Sequence, residues 1–365
     1  MKLIPAHIRI MIRIGPGLMM AMLLLAACRK DPALESEAPF ASPTPLTLEL
    51  PAWTLNIQHP MMLPADNPLT VEGVQLGRRL FYEKALSDNY SLSCASCHQQ
   101  AHAFSDPQRF SLGTDGSEGR RQSMPIQNTL WDHAFFWDGR AASLEEQALG
   151  PVVNHVEMRN TWPVVEDRLR WLPGYAALFT RAFGSPGIDS MRVVKAIAQF
   201  ERTLLSFDSP FDRFFYEGQP YAMSQAQLRG MDVFFGEGQC DLCHRPPLFQ
   251  DHDLRNIGLP PGPDQGLAEI TGLVGDRGRF KVNSLRNIAL TAPYIHDGRY
   301  ATLEEVIDFY ADSVNINEPN LDNHMWPWTG GQIDLDAQER ADLKDFMEAL
   351  TDQRFVTNPA FSDPN

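Results

Sequence analysis

The sequence predicts a mainly α-helical protein built of two similar halves, with long ordered loops between the helices. Three observations predict it. A helix candidate containing Gly-x-x-x-Phe and followed by Cys-x-x-Cys-His occurs twice along the chain. The 25 glycines and 28 prolines are more than a regular bundle needs, so much of the chain must be structured loop. The 365 residues, 43% hydrophobic and 21% charged with no low-complexity tract, suffice for two domains with real cores. The expected segments are residues 67–220 and 221–365, preceded by a leader (1–27) and a Pro-rich tether (28–66).

Lys2, Arg9 and Arg13 form a basic region, and Gly17 to Ala27 is an unbroken small or apolar run. That run is too short to span a bilayer and reads as the apolar part of a secretory signal. It ends in Leu25-Ala26-Ala27-Cys28, a pattern similar to the lipobox, in which the cysteine thiol takes a diacylglycerol. An ordinary signal peptide with a chance cysteine is the plainer alternative, and either exports the protein. Arg29 stands where an inner-membrane lipoprotein usually has Asp, so the expected address is periplasm-facing and on the outer membrane. The seven prolines between Asp31 and Pro64 then read as a tether.

Of five cysteines, one is assigned to lipid and four remain in two pairs, each followed by histidine. Cys94-Ala95-Ser96-Cys97-His98 and Cys240-Asp241-Leu242-Cys243-His244 match the attachment signature of covalent c-type haem. Each thiol adds across one vinyl group, and the next histidine binds iron from below. Two disulfides or a zinc site are the alternatives. A single such motif could belong to a zinc site, which tolerates looser spacing, but two copies with matching surroundings favour haem. Two haems, with irons held by His98 and His244, are therefore expected.

The flanks repeat as well. Val71 to Tyr82 carries Gly77-x-x-x-Phe81, and Ser224 to Phe235 carries Gly230-x-x-x-Phe234. Downstream, Met191 to Leu205 carries Phe200-x-x-x-Leu204, and Asp336 to Thr351 carries Phe346-x-x-x-Leu350. A glycine on one helix facing a bulky face on another suits the close crossing of first and last helices in cytochrome c folds. The class expected is thus two cytochrome c-like domains, each wrapped around its haem. Between these helices, Phe136-Trp137-Asp138-Gly139-Arg140 precedes Ser143-Leu144-Glu145-Glu146, and Ile295-His296-Asp297-Gly298-Arg299 precedes Thr302-Leu303-Glu304-Glu305. Each pairs an Asp-Gly turn with a capping box that starts a helix.

From about Pro64 to about Thr351 this arrangement resembles the bacterial di-haem cytochrome c peroxidases and the MauG-type di-haem oxidases. The resemblance implies that hydrogen peroxide reacts at the N-terminal haem. It implies that Glu157, twenty residues after Trp137, and Gln147, ten before Glu157, form the distal pocket. A carboxylate held there can move the proton that O–O cleavage requires, and an amide beside it can orient the peroxide. Alone, Glu157 would read as a solvated loop carboxylate. The resemblance places Trp137 between the haems as an electron relay, a role compatible with an ordinary core aromatic. It also implies a calcium ion held by backbone oxygens of Thr291 and Pro293, with Gln122 where the family usually has Asn.

Two positions depart from the peroxidase pattern. The histidine that caps the N-terminal iron in many of these peroxidases is matched by Thr114, and no histidine lies between His102 and His133. The first haem is thus expected to be open without reductive activation. His102 and His155 are the nearest substitutes, and both read more simply as surface or supporting residues. The second departure lies fourteen residues after His296, where typical peroxidases have the methionine ligand of the C-terminal haem; this chain has Tyr310. A phenolate stabilises oxidised iron and lowers the potential, and MauG-type enzymes have Tyr there. A core role for Tyr310, with Met325 as ligand, is the alternative.

The functional expectation is a di-haem peroxidase drawing electrons from a small periplasmic donor, such as a cytochrome c or cupredoxin. The rival is a MauG-like oxidase whose donor is a residue of a partner protein. Gly238, two before Cys240, stands against it, because the MauG-type enzyme has a relaying Trp there; Trp326 and Trp328 could relay instead or simply pack over the haem. A non-catalytic electron-transfer cytochrome would need both irons six-coordinate. Removing the leader's three basic residues leaves 28 basic against 46 acidic side chains, a charge of −18. That acidity suits a basic donor docking by electrostatic steering and argues against nucleic acid. The peroxidase relatives are often dimers, which implies a homodimer.

Overall fold

The computed structural model describes residues 42–325 and 333–364. The leader, Cys28, Trp326 and Trp328 lie outside the described residues. The helices in chain order are α1 (Val71–Phe81), α2 (Cys94–Cys97), α3 (Leu144–Val153), α4 (Trp162–Trp171), α5 (Tyr175–Phe183) and α6 (Ser190–Glu201). They continue as α7 (Pro210–Phe215), α8 (Gln225–Phe235), α9 (Ala268–Thr271), α10 (Leu303–Asp308), α11 (Ala337–Glu348) and α12 (Gln353–Thr357). One two-stranded antiparallel ladder, β1 (Leu254–Arg255) with β2 (Phe280–Lys281), pairs Leu254 with Lys281 and Arg255 with Phe280. Among the described residues no helix is long and apolar enough to cross a membrane.

Helix starts follow their caps. The Thr70 side chain accepts from Gly73 N, Asp189 from Arg192 N, and Ser224 and Asp336 form full capping boxes with Gln227 and Glu339. The predicted helix 191–205 stops at Glu201. The chain turns there, so that Leu204 drops into the core with its N–H on Glu201 O.

Each half is built on one close crossing. A Cβ placed on Gly77 would stand 1.8 Å from Ala196 O and 3.0 Å from Phe200 Cβ. On Gly230 it would stand 1.8 Å from Asp342 O and 2.8 Å from Phe346 Cβ. Only glycine lets α1 and α8 lie directly on the backbones of α6 and α11. Around the first crossing pack Leu80, Phe81, Phe104, Phe179 and Phe200; around the second pack Phe211, Phe234, Phe249, Leu343 and Phe346.

The halves also repeat in backbone detail. Asn128 and Asn287 are both left-handed (φ 53° and 57°) and open matching 3-10 turns. Phe136 and Ile295 are left-handed too (φ 64° and 71°), and the bridges Phe135 to Ala141 and Tyr294 to Tyr300 close the two Asp-Gly turns.

Two segment expectations are corrected. From residue 42 the expected tether is part of the fold: Thr44 N donates to Glu72 Oε2 (2.8 Å), and Leu48, Leu50, Trp53 and Ile57 pack on Leu130, Trp131, Phe207 and Leu248. These apolar residues between the prolines outweigh a linker-like composition. The chain's last segment, assigned to the C-terminal half, returns to the N-terminal one. Phe355 packs edge-on to Phe104 at 5.6 Å, and Arg78 Nε donates to Ser362 O (2.6 Å).

Candidate functional site: two cavities and the residues between them

Each Cys-x-x-Cys-His motif opens onto its own cavity. Cys94, Cys97 and His98 line one of about 680 Å³, and Cys240, Cys243 and His244 line one of about 250 Å³. The four cysteines are half-buried, and desolvation of their thiols pushes Cys97 up to about 11 and Cys240 and Cys243 up to about 12. His98 Nδ1 donates to Phe104 O (2.8 Å) and His244 Nδ1 to Phe249 O (3.0 Å). Both phenylalanines are left-handed (φ 59° and 54°), a strained conformation that places the accepting carbonyl; such strain typically costs about 1–3 kcal/mol. Burial holds both imidazoles below their ordinary pKa. Neutral rings tied at Nδ1 leave Nε2 as a lone pair for iron, as a proximal ligand requires. Thiols, imidazole and cavity therefore fit a covalent haem in each half.

The two cavities share a wall. Trp137, Gln122, Pro125 and Lys281 line both. Trp137 Nε1 donates to Gln122 O (2.8 Å), and its ring lies 6.4 Å from His296. The next residue, Asp138, is buried and accepts from Arg121 (2.6 Å), whose guanidinium also holds Asp264 (2.6 and 2.8 Å). That ion-pair chain ties the Trp137 turn to the C-terminal half.

Glu157 and Gln147 both line the N-terminal cavity. Gln147 projects from α3, and Glu157 sits in the turn that ends it. Asn154 organises that turn: its backbone oxygen accepts from Glu157 N (3.1 Å), and its side-chain nitrogen donates to Glu157 Oε1 (2.5 Å). Burial raises the Glu157 carboxyl above the ordinary carboxylate range, against the opposing pull of Asn154 and of the Arg140 charge. Sequence reasoning missed Asn154, although an Asn just past a helix is a readable Asx-turn signal; its Oδ1 accepts from Val156 N (3.1 Å). It missed Glu201 as well. This buried carboxyl on α6 lines the same cavity, and burial pushes it up to about 8.

Thr114 does not line this cavity. Its N–H donates to Glu157 O (3.0 Å), and a Cβ on Gly113 would meet Val156 O at 2.4 Å, so the loop is pinned against the Glu157 turn. Of the histidines among the described residues, only His98 and the exposed His155 line the cavity; His102 does not.

Tyr310 lines the C-terminal cavity, and so does Met325. A short π-helix, Phe309–Ser313, continues α10 and carries Tyr310; such widened turns recur at functional sites. Burial raises the Tyr310 phenol. Counted from the caps Ser143 and Thr302, Tyr310 stands where the N-terminal half has Pro151. One repeated element thus presents a phenol in one half and leads to an acid-bearing turn in the other. Gln122, Thr291 and Pro293 meet on the wall of the C-terminal cavity, where the Gln122 amide donates to Asp106 O (3.1 Å).

The family model described as di-haem cytochrome c peroxidase matches residues 71–220. Methylamine utilization protein MauG of Methylorubrum extorquens is 38% identical over 79% of this chain and 80% of its own length. Cytochrome c551 peroxidase of Nitrosomonas europaea is 37% identical over 67% of this chain and 75% of its own. A solved MauG-like protein associated with microbial copper homeostasis superposes with a TM-score of 0.80 at 35% identity, covering 87% of this chain and 99% of that one.

Proposed function

Since the chain belongs to the di-haem cytochrome c peroxidase and MauG family, whose members are oxidoreductases acting on hydrogen peroxide, we propose that peroxide is reduced in its N-terminal cavity with electrons passed from the C-terminal one. The observation that carries the proposal is that Glu157 and Gln147 line the cavity of His98, with no other histidine among the described residues lining it but the exposed His155. Bound at His98 and His244, the haems supply the redox-active irons. Glu157 takes a proton from the inner peroxide oxygen and delivers it to the outer one, which leaves as water. Burial, which raises its pKa above the ordinary carboxylate range, suits a group that must both accept and release that proton. Gln147 orients the peroxide by hydrogen bonding. Trp137, common to both cavities, carries the electrons between them. The two electrons and two protons that complete reduction to water come from the donor and from solvent. At the C-terminal site Tyr310 would offer its phenol oxygen to the iron, and Gln122, Thr291 and Pro293 would offer amide and backbone oxygens to a calcium ion, a hard cation that takes such donors. Lipid anchoring at Cys28, a periplasm-facing outer-membrane address, a homodimer and a small basic donor complete the reading.

A MauG-like oxidation of a partner protein is the second reading, favoured by Tyr310 on the C-terminal wall. The position of the relaying Trp is closed to it, because a Cβ on Gly238 would already stand 2.8 Å from Val233 O. Stoichiometric peroxide added to the diferric protein separates the two. Turnover that needs a reduced small donor supports the peroxidase; a long-lived oxidised state in both haems without a donor favours the oxidase.

A further inference from the structure

Apart from both cavities, three imidazoles from distant parts of the sequence come together. The His59 and His252 rings are 4.0 Å apart between centroids, His133 and His252 5.7 Å, and His59 and His133 6.4 Å. His252 is buried, 3% exposed, and left-handed at φ 64°, a strained backbone for a non-glycine residue. Its Nδ1 lies 3.1 Å from Asp132 Oδ1. That carboxylate also accepts from Lys281 Nζ (2.6 Å) and Gln250 Nε2 (2.8 Å). An ionised carboxylate only accepts, so Nδ1 carries a proton, and in the neutral ring Nε2 carries the lone pair. His252 Nε2 is buried and has no hydrogen-bond partner. A buried acceptor left unmatched is costly, unless a ligand meets it.

We propose that His59, His133 and His252 form a site for one imidazole-preferring divalent transition metal ion, of the Zn2+ or Cu2+ class. Asp132 plays the part that carboxylates play behind metal-binding histidines, holding Nδ1 and leaving Nε2 as the donor to the ion. Imidazole donors select zinc and copper over calcium and magnesium, which take oxygen. Two imidazoles on one tetrahedral ion, each bond about 2.0–2.1 Å, have centroids roughly 5 Å apart, so the three separations bracket what an ion needs. No three such side chains among the described residues already converge as a finished metal site. Exposed His133 and half-buried His59 have the room to turn toward buried His252. An ion held there would pin the N-terminal segment carrying His59 to both halves.

The test is calorimetric titration of untagged, haem-loaded protein with ZnCl2 and, separately, CuCl2, in excess calcium. His59→Gln and His133→Gln serve as variants because neither side chain is fully buried and neither lines a haem cavity. The expected result is one equivalent bound by the wild type and at least tenfold weaker binding in each variant, with unchanged haem spectra. Equal affinity in wild type and variants, or no stoichiometric binding of either ion, overturns the proposal.

Discussion

Replacing Glu157 by Gln isolates the proton-carrying role from everything else that side chain does. The amide keeps the shape, and its oxygen can still accept from Asn154 Nδ2, now 2.5 Å from Glu157 Oε1. Burial opposes the charged form of Glu157, so a neutral amide leaves the fold intact or slightly more stable. The loss should therefore appear in chemistry alone. General acid–base catalysis by a positioned group contributes about 10²–10⁴-fold, so kcat/KM for peroxide should fall by that factor, about 3–5.5 kcal/mol of barrier. The pH profile gives a second readout. The base form must take the first proton, so wild-type kcat/KM rises with pH through the Glu157 pKa. Because that pKa is raised, the rise lies above the pH at which a solvated carboxylate titrates, and in the variant it vanishes. Stopped-flow reduction of peroxide by a reduced donor, with unfolding temperature measured in parallel, reads both. A loss under tenfold, or an acid limb surviving in Glu157→Gln, refutes the assignment.

Three further outcomes follow from the same geometry. Gly77→Ala and Gly230→Ala each force a Cβ to 1.8 Å from a helix backbone oxygen, so each should cost about 3 kcal/mol or more in chemical denaturation and disturb mainly the haem of its own half. Glu201 has a folded pKa of about 8 against an ordinary 4.5; its stabilising contribution is full below the lower value and is lost as pH rises through the upper one. Glu201→Gln should accordingly gain on wild type by about 1.4 kcal/mol per pH unit between pH 5 and 8, and a constant difference contradicts this. Tyr310→Phe should raise the potential of the C-terminal haem by on the order of a hundred millivolts, while Met325→Leu should leave it unchanged; the reverse pattern makes Met325 the ligand.

Much of this architecture was legible because it is written locally and twice. Gly77 and Gly230 were readable as crossing points, since no other residue permits a helix backbone to touch another. The caps Thr70, Ser143, Ser224 and Thr302 start helices where their side chains dictate. Other features depend on tertiary partners that a one-dimensional pattern does not name. Leu48 and Trp53 look like linker residues until the Leu130–Trp131 surface is present to cover them. Phe355 belongs to the C-terminal half by order and to the N-terminal core by packing. The π-turn under Tyr310 has no sequence signature, because Phe309 to Ser313 would serve equally in an α-helix. Glu201 read as an ordinary helix residue, since only the cavity beside it makes its carboxyl unusual. Glu157, Gln147 and Trp137 were expected from resemblance and spacing and line the N-terminal cavity, whereas the bond from Asn154 to Glu157 depends on the folded turn.

The central claim is that the two haem sites are unequal, one open to peroxide and one closed by a protein ligand. Electron paramagnetic resonance of the purified diferric protein tests it most directly. The expected spectrum has one high-spin ferric signal, from the His98 site, beside one low-spin signal from the His244 site, without prior reduction. Two low-spin signals in the resting protein would contradict it.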